Sequence, residues 1–530
     1  LKRDSVARMR TYSAIAVATY LHLVMVTCSP DTPTPITRVV SSNGGHRLTP
    51  ESSIDWQYAE NCPADSFEIL HTEEGQVIGG FGASMTESSA VNLNSLSEEM
   101  QEELLEIVFG KTGARVSAVK ATMLANDFSA QGPWSTYDDV ENDVKLEHFS
   151  IKRDLRENGT LTFIKRAISA GFEGTIQAYM DYPPDWMLDD RKNPANASIR
   201  EDLYDVLAQY YAAYVEAYAR HGVTIDFLEC FNEPTDSYTR MAPSQLARFL
   251  GKHIGPLFDQ LGLRNKTKLT YGGQCNREMA AEYIPAIMAD RAAAKYMDVL
   301  AYHGYDCQYG CNDSRQNYDK ISQVHEKFAH IPMWMTEICY AYNGDDPNCT
   351  SSATMSSCTD YPRDPKLAPP LPRLDFEDGA TWGHRIIKDL QSGASGWIYW
   401  NMFLDMDGGP FAYSPEHNDG PDNYQHPVVV VDGESDRFHL TGLFWFLSHF
   451  SRFVRPGSVF VKAREPRAVP PPDGVSMAAF HKKDSGDARY SNVVQVVNKG
   501  AQEKSIAICS KGYVARMKVP GFSITTGQWK

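Results

Sequence analysis

Eight short apolar or β-branched runs alternate with longer stretches of helical periodicity, and this alternation constrains the fold more than any other feature of the chain. The expected strands are Val77–Phe81, Ala114–Thr122, Gly174–Tyr179, Ile225–Phe231, Lys268–Tyr271, Asp298–His303, Pro332–Thr336 and Gly396–Tyr399. Between them, Glu98–Phe109, Asp202–Arg220, Ser244–Leu261, Tyr318–Ala329 and Gly379–Gln391 repeat apolar residues at spacings of three and four, which gathers those residues on one helix face. Parallel strands need long crossovers, so repeated strand and helix units build a parallel sheet. Eight in succession predict an α/β architecture, a (β/α)8 TIM barrel over residues 76–455.

After Arg455 the pattern changes to period two with turn punctuation, in Ser458–Ala463, Ser476–His481, Asn492–Asn498, Lys504–Cys509 and Ser523–Gly527. Residues 456–530 are therefore expected to form a small all-β sandwich side domain, completed by one or two N-terminal strands from 51–75, within Ile54–Leu70. The Pro-, Thr- and Ser-rich stretch 29–50 reads as a linker. A long insertion after the seventh strand, residues 340–375, carries the Ser-rich run 351–359 and the Pro-rich run 362–372. Loops of this length are functional or disordered.

Residues 1–28 resemble a secretory signal peptide: Met9 as the expected start, Arg10, the apolar run from Ser13 to Val26, and Val26-Thr27-Cys28 as a cleavage site. The run falls short of the roughly 20 apolar residues that span a bilayer, and no later segment is long enough, so no stable membrane span is expected. Secretion, or delivery to a lysosome, places the ten cysteines in an oxidising compartment. Cys307/Cys311 and Cys349/Cys358 are then expected as local disulfides, while a zinc site from His303, Cys307 and Cys311 lacks a fourth ligand. Sequons at Asn158, Asn196, Asn265, Asn312 and Asn348 agree with that compartment. The 67 acidic against 51 basic residues leave a net charge of −16, which works against phosphate backbones as partners, so nucleic acid is not expected. An uncharged sugar is indifferent to this charge.

Two strands end in the same chemistry. Ile225-Asp-Phe-Leu-Glu-Cys-Phe-Asn-Glu-Pro234 delivers Asn232 and Glu233 at its C-terminal end, where Pro234 stops pairing for want of an N–H. Pro332-Met-Trp-Met-Thr-Glu337 delivers Glu337 in the same way. On the fourth and seventh strands of a barrel both carboxylates face one mouth, the end where barrel active sites lie. A protonated carboxyl to assist the leaving oxygen and an ionised one to attack or activate water suit glycoside hydrolysis. The strands alone leave open which is which, and each Glu in isolation is also explained by pairing with a cation at the rim.

Gly80-Phe-Gly-Ala-Ser-Met-Thr-Glu87, Ala125-Asn-Asp-Phe-Ser129, Tyr182-Pro-Pro-Asp-Trp186, Phe231-Asn-Glu-Pro234, His303-Gly-Tyr305, Thr336-Glu-Ile-Cys339, Gly396-Trp-Ile-Tyr-Trp-Asn401 with Gly408-Gly-Pro410, and Leu447-Ser-His-Phe-Ser-Arg-Phe453 follow one another in order. Together they resemble glycoside hydrolase family 30, and within it the glucosylceramidase-like enzymes. The resemblance implies a retaining mechanism with Glu233 as acid/base and Glu337 as nucleophile. It further implies that Asn232 meets the sugar 2-hydroxyl, that Asp127 and Trp186 hold outer hydroxyls, that Trp400 is an aromatic platform, and that His303 and Tyr305 border the nucleophile. No metal and no organic cofactor is implied, because side chains supply both roles. The partner implied is a β-linked glycoside or glycolipid.

The chain departs from this pattern at Phe231, where an acidic residue is usual, at Ala83-Ser84, and in the insertion after Glu337, which puts the leaving group in doubt. An endo-β-1,6-glucanase or galactanase is the alternative substrate class, and a non-catalytic carbohydrate-binding barrel the alternative function. A serine acyl-enzyme, suggested by Ser117-Ala-Val-Lys120, fails because positions three apart on a strand point to opposite faces. Asp405-Met-Asp407-Gly-Gly409 is followed by Pro410 where a calcium loop has its glycine.

Overall fold

The computed structural model describes residues 33–130, 135–235, 239–306, 316–341, 374–412, 423, 425–467, 474–482 and 491–530. Eight parallel strands form the barrel: β1 (Gly80–Met85), β2 (Ala118–Thr122), β3 (Thr175–Tyr179), β4 (Phe227–Glu229), β5 (Lys268–Thr270), β6 (Leu300–His303), β7 (Met333–Glu337) and β8 (Ala394–Tyr399). Their order in the sheet is β6-β7-β8-β1-β2-β3-β4-β5. Just past β5, Gln274 bridges to Tyr302 and accepts the His303 N–H at 2.8 Å, which closes the ring.

Nearly every strand residue is buried, because side chains on one face fill the lumen and those on the other meet the helices. The helices begin where polar caps allow. The Ser97 side chain accepts from Met100 N ahead of Glu98–Phe109, which turns Leu104, Leu105, Val108 and Phe109 inward. Asp375 caps Phe376–Gln391 in the same way.

The first expected strand moves. Val77 belongs to Ser66–Val77, a strand of the side domain, and the barrel strand starts only at Gly80. The crossing between the two needs Gly79, where an added Cβ would lie 2.2 Å from the Trp334 indole. Likewise β2 starts at Ala118 rather than Ala114, because Arg115 at φ 53° cannot continue an extended strand.

The all-β side domain is one ten-stranded sheet. It joins Ile36–Ser42, Thr49–Ile54, Gln57–Tyr58 and Ser66–Val77 from one end of the chain to Ser458–Arg464, Val475–Lys482, Asn492–Asn498, Lys504–Ser510, Tyr513–Val519 and Ser523–Trp529 from the other. Phe67, Ile69, Val461, Met477, Val494, Ile508 and Met517 share one core, so the sheet curls over on itself. The linker reading of residues 29–50 is corrected here. Ile36–Ser42 pairs with Ser523–Trp529 and buries Ile36 and Val40, since Pro33 and Pro35 precede the strand and remove none of its donors. The strand Tyr513–Val519 was not expected; it completes a hairpin with Lys504–Ser510.

A disulfide joins Cys62 to Cys509 across this sheet. Cys307, Cys311, Cys349 and Cys358, the signal segment, Asn312, Asn348 and most of the 340–375 insertion lie outside the described residues. Among the described residues no helix is long and apolar enough to cross a membrane. Barrel and sheet meet at the helix Gly442–Phe453, whose buried His449 bonds Ser41 at 2.9 Å and Thr526 at 2.7 Å.

Candidate active site

Glu233 lies four residues past the end of β4 and Glu337 is the last residue of β7. Glu233 sits at φ 39°, held by its N–H to Gly273 O at 2.9 Å and by Thr235 N to its own carbonyl at 2.6 Å. Such a conformation costs about 1–3 kcal/mol and persists where the surroundings over-determine it. A register slip between Tyr302 and His303 sets His303 opposite Glu337. As a result one oxygen of each carboxylate and a ring nitrogen of His303 all lie within 4.8 Å of one another.

The two carboxylates have different neighbours. His303 Nδ1 lies 2.7 Å from Glu233 Oε1 and 3.7 Å from Glu337 Oε1. Glu337 Oε2 receives Lys120 Nζ at 2.7 Å, and its Oε1 accepts the Tyr305 hydroxyl at 3.1 Å. Lys120 is wholly buried on β2 and lies 3.8 Å from the Tyr179 ring centre and 5.8 Å from that of Trp400. Burial works against its charge, but Glu337 and Glu229 outweigh that and raise its pKa. For His303 burial again opposes the charge, while Glu337, Glu229 and Glu233 push its pKa up to about 9. The two ring nitrogens of His303 face the carboxylates of Glu233 and Glu229, so the Glu233, His303 and Glu337 cluster reads as an acid/base site.

The other expected residues divide. Asn232 is buried beside Glu233, and its Oδ1 has no hydrogen-bond partner among the described residues. Asp127 accepts Asn423 Nδ2 at 2.7 Å, and burial pushes its carboxyl up to about 7. Trp400 closes the wall beyond β8, edge-on to Phe128 and Tyr179. Trp186 is buried in the turn after β3, where its indole N–H is donated to the Asp138 carbonyl at 2.9 Å. On the same loop Asp181 is also buried. Burial, then Asp127 and Glu337, raise its pKa well above the usual range, Tyr179 OH donates to Oδ2 at 3.0 Å, and Oδ1 has no partner among the described residues.

Lys120, Asp181 and Glu229 were missed, although the signal was present. Each is an ionisable residue within or at the end of an otherwise apolar strand, where an uncompensated charge is untenable. At Phe231 the usual acid is replaced by a ring packed on Phe249, at 5.4 Å between centres, and the buried acid stands at Glu229.

Paired carboxylates at this spacing, with a cation on one and a hydrogen-bonded imidazole on the other, at the C-terminal end of a barrel, describe a glycosidase. The model of the "Glycosyl hydrolase family 30 TIM-barrel domain" matches residues 78–362 and 373–454. Putative glucosylceramidase 3 of Caenorhabditis elegans is 28% identical over 87% of this chain and 81% of its own length. The lysosomal acid glucosylceramidase of Mus musculus is 23% identical over 93% and 88%. An endo-1,6-beta-D-glucanase of Neurospora crassa is 24% identical over 87% and 86%. Among solved structures, SrfJ from Salmonella typhimurium superposes with a TM-score of 0.76 at 19% identity, covering 94% of this chain and all of that one, which speaks to the fold. With the family model matched across both the acid-bearing strands and the whole barrel, the chain belongs to glycosyl hydrolase family 30.

Proposed function

We propose that this glycosidase cleaves β-glucosides with retention of configuration, and that glucosylceramide is its substrate. The supporting observation is the asymmetric carboxylate pair. Retention needs the carboxyl groups about 5–5.5 Å apart, and here their oxygens approach within 4.8 Å. Glu337, beside the Lys120 ammonium, is the nucleophile. Its Oε1 or Oε2 attacks the anomeric carbon as Glu233 gives its proton to the leaving oxygen, forming a glycosyl-enzyme. Glu233, now ionised, then takes a proton from the water that releases the sugar. Asn232 serves the 2-hydroxyl, Asp127 the outer hydroxyls, and Trp400 the sugar face. His303 and Tyr305 hold the two carboxylates in place.

The test is hydrolysis of an aryl β-glucoside and of glucosylceramide, with a 2-fluoroglucoside to trap the intermediate. Wild type is expected to turn over both and to be labelled on Glu337, and Glu337→Gln to do neither. A protein that hydrolyses neither substrate and takes no label is a carbohydrate-binding barrel.

A second substrate class has its own support, because relatives at comparable identity include both glucosylceramidases and endo-1,6-glucanases. Faster hydrolysis of β-1,6-linked oligosaccharides than of glucosylceramide selects it. Delivery to the secretory route, ending outside the cell or in a lysosome, is supported by residues 9–28, by the Cys62–Cys509 disulfide and by exposed sequons at Asn196 and Asn265.

A further inference from the structure

Behind the catalytic pair lies a third carboxylate that the retaining mechanism leaves without a role. Glu229, the last residue of β4, is fully buried, four residues before Glu233. Its Oε2 accepts from Gln177 Nε2 on β3, the Thr336 hydroxyl on β7 also reaches it, and its Oε1 lies 3.4 Å from His303 Nε2. The other nitrogen of the same ring is the one that meets Glu233, at 2.7 Å. The three groups form one chain: carboxylate, imidazole, acid/base. Space for it is made by Gly273, where a Cβ would lie 2.5 Å from both Glu229 Oε1 and His303 Nε2.

We propose that Glu229 is a positioning residue for acid catalysis: its carboxylate holds the His303 ring so that Nδ1–H donates to Glu233, and thereby sets how readily Glu233 delivers its proton to the leaving oxygen. The proposal rests on the retaining reading, in which Glu233 is that acid. A carboxylate behind an imidazole fixes the ring's orientation and favours its charged form. The charged and titratable groups facing His303 are Glu229 and Glu233 on β4 and the turn after it, Glu337 on β7, Lys120 on β2 and Tyr305 beyond β6. Lys120 already neutralises Glu337 at 2.7 Å, so the ring's second nitrogen depends on Glu229. A merely structural Glu229, a counter-charge for Lys120, would act on the Glu337 side and not on the proton donor.

Leaving groups separate these roles. A 2,4-dinitrophenyl glucoside departs without a proton, whereas an alkyl or glycolipid leaving group requires one. In full-length Glu229→Gln, with the same shape and no charge, kcat/KM for an alkyl β-glucoside is expected to fall about 30-fold, against less than about 3-fold for the dinitrophenyl glucoside. The alkaline limb of the alkyl profile moves upward, because Glu233 loses its cationic neighbour at 2.7 Å. Labelling of Glu337 by a 2-fluoroglucoside continues at near the wild-type rate. Equal losses on both substrates with an unmoved alkaline limb overturn the proposal and leave the retaining reading standing. Absence of label in the wild type overturns both. Should Glu229→Gln not fold, Glu229→Asp keeps the charge but draws it back from His303; it is expected to show the same leaving-group dependence at smaller size, and behaviour identical to wild type overturns the proposal.

Discussion

Lys120→Met tests whether the buried ammonium sustains the nucleophile. The substitution keeps the length of the side chain and removes its charge, 2.7 Å from Glu337 Oε2. At an effective dielectric constant of about 20, that separation corresponds to about 6 kcal/mol of attraction. That figure is the ceiling on what the ammonium supplies to the carboxylate. Tyr305 still donates to Oε1, and water entering beside Met replaces part of the stabilisation, which leaves about 3 kcal/mol, a factor of about 100 in rate. On the reading that Glu337 is the nucleophile, kcat/KM for an aryl β-glucoside is expected to fall by that factor. Loss of one member of a buried pair also lowers stability by about 3 kcal/mol or more, read as a lower Tm. A kcat/KM within about 3-fold of wild type, in a variant whose circular dichroism shows it folded, refutes the reasoning.

Gly273→Ala places a methyl group 2.5 Å from Glu229 Oε1 and His303 Nε2, so kcat on an alkyl β-glucoside should fall at least about 100-fold with the barrel still folded, and wild-type rates would refute the close fit. Arg277 is wholly buried, with Asp306 at 2.8 Å and Asp389 at 2.7 Å, and Arg277→Met strands both carboxylates; a loss of about 3–5 kcal/mol is expected in urea unfolding. Asp154, buried beneath the hydroxyls of Tyr137 at 2.6 Å and Tyr218 at 2.7 Å, has its pKa pushed up to about 7 by burial. A raised carboxyl pKa means stability present below the unfolded value, about 4, and lost as pH rises through about 7. Asp154→Asn removes that dependence, so the decline in Tm between pH 4 and pH 7 should be shallower than in wild type, and equal slopes would count against it.

Strand ends were legible wherever a local rule sufficed. Asn232-Glu233-Pro234 announces a strand's end because proline cannot pair, and Met333–Glu337 runs apolar until its last residues. These two placements supply the proposed acid/base and nucleophile. Trp186 lies within the turn Asp185–Met187, and its N–H goes to the Asp138 carbonyl, a partner that the Tyr-Pro-Pro motif does not name. Ile36–Ser42 was obscured by the prolines before it, and its partner strand lies at the far end of the chain. Lys120 was visible as a lone charge in an apolar strand, yet its partner is 217 residues away, and nothing local names it.

What the chain determined by itself is the repeating unit, eight alternations of strand and helix, and with them a mouth to which strand-end residues must point. That follows from periodicity and steric rules, which act over a few residues. Tertiary structure alone decided which buried charges meet. Lys120 pairs with Glu337, His303 lies between Glu229 and Glu233, and Asp181 meets the Tyr179 hydroxyl. These pairings depend on the order of strands in the barrel and on a single register slip beside His303, because electrostatic compensation inside a low-dielectric lumen acts through space and not along the sequence.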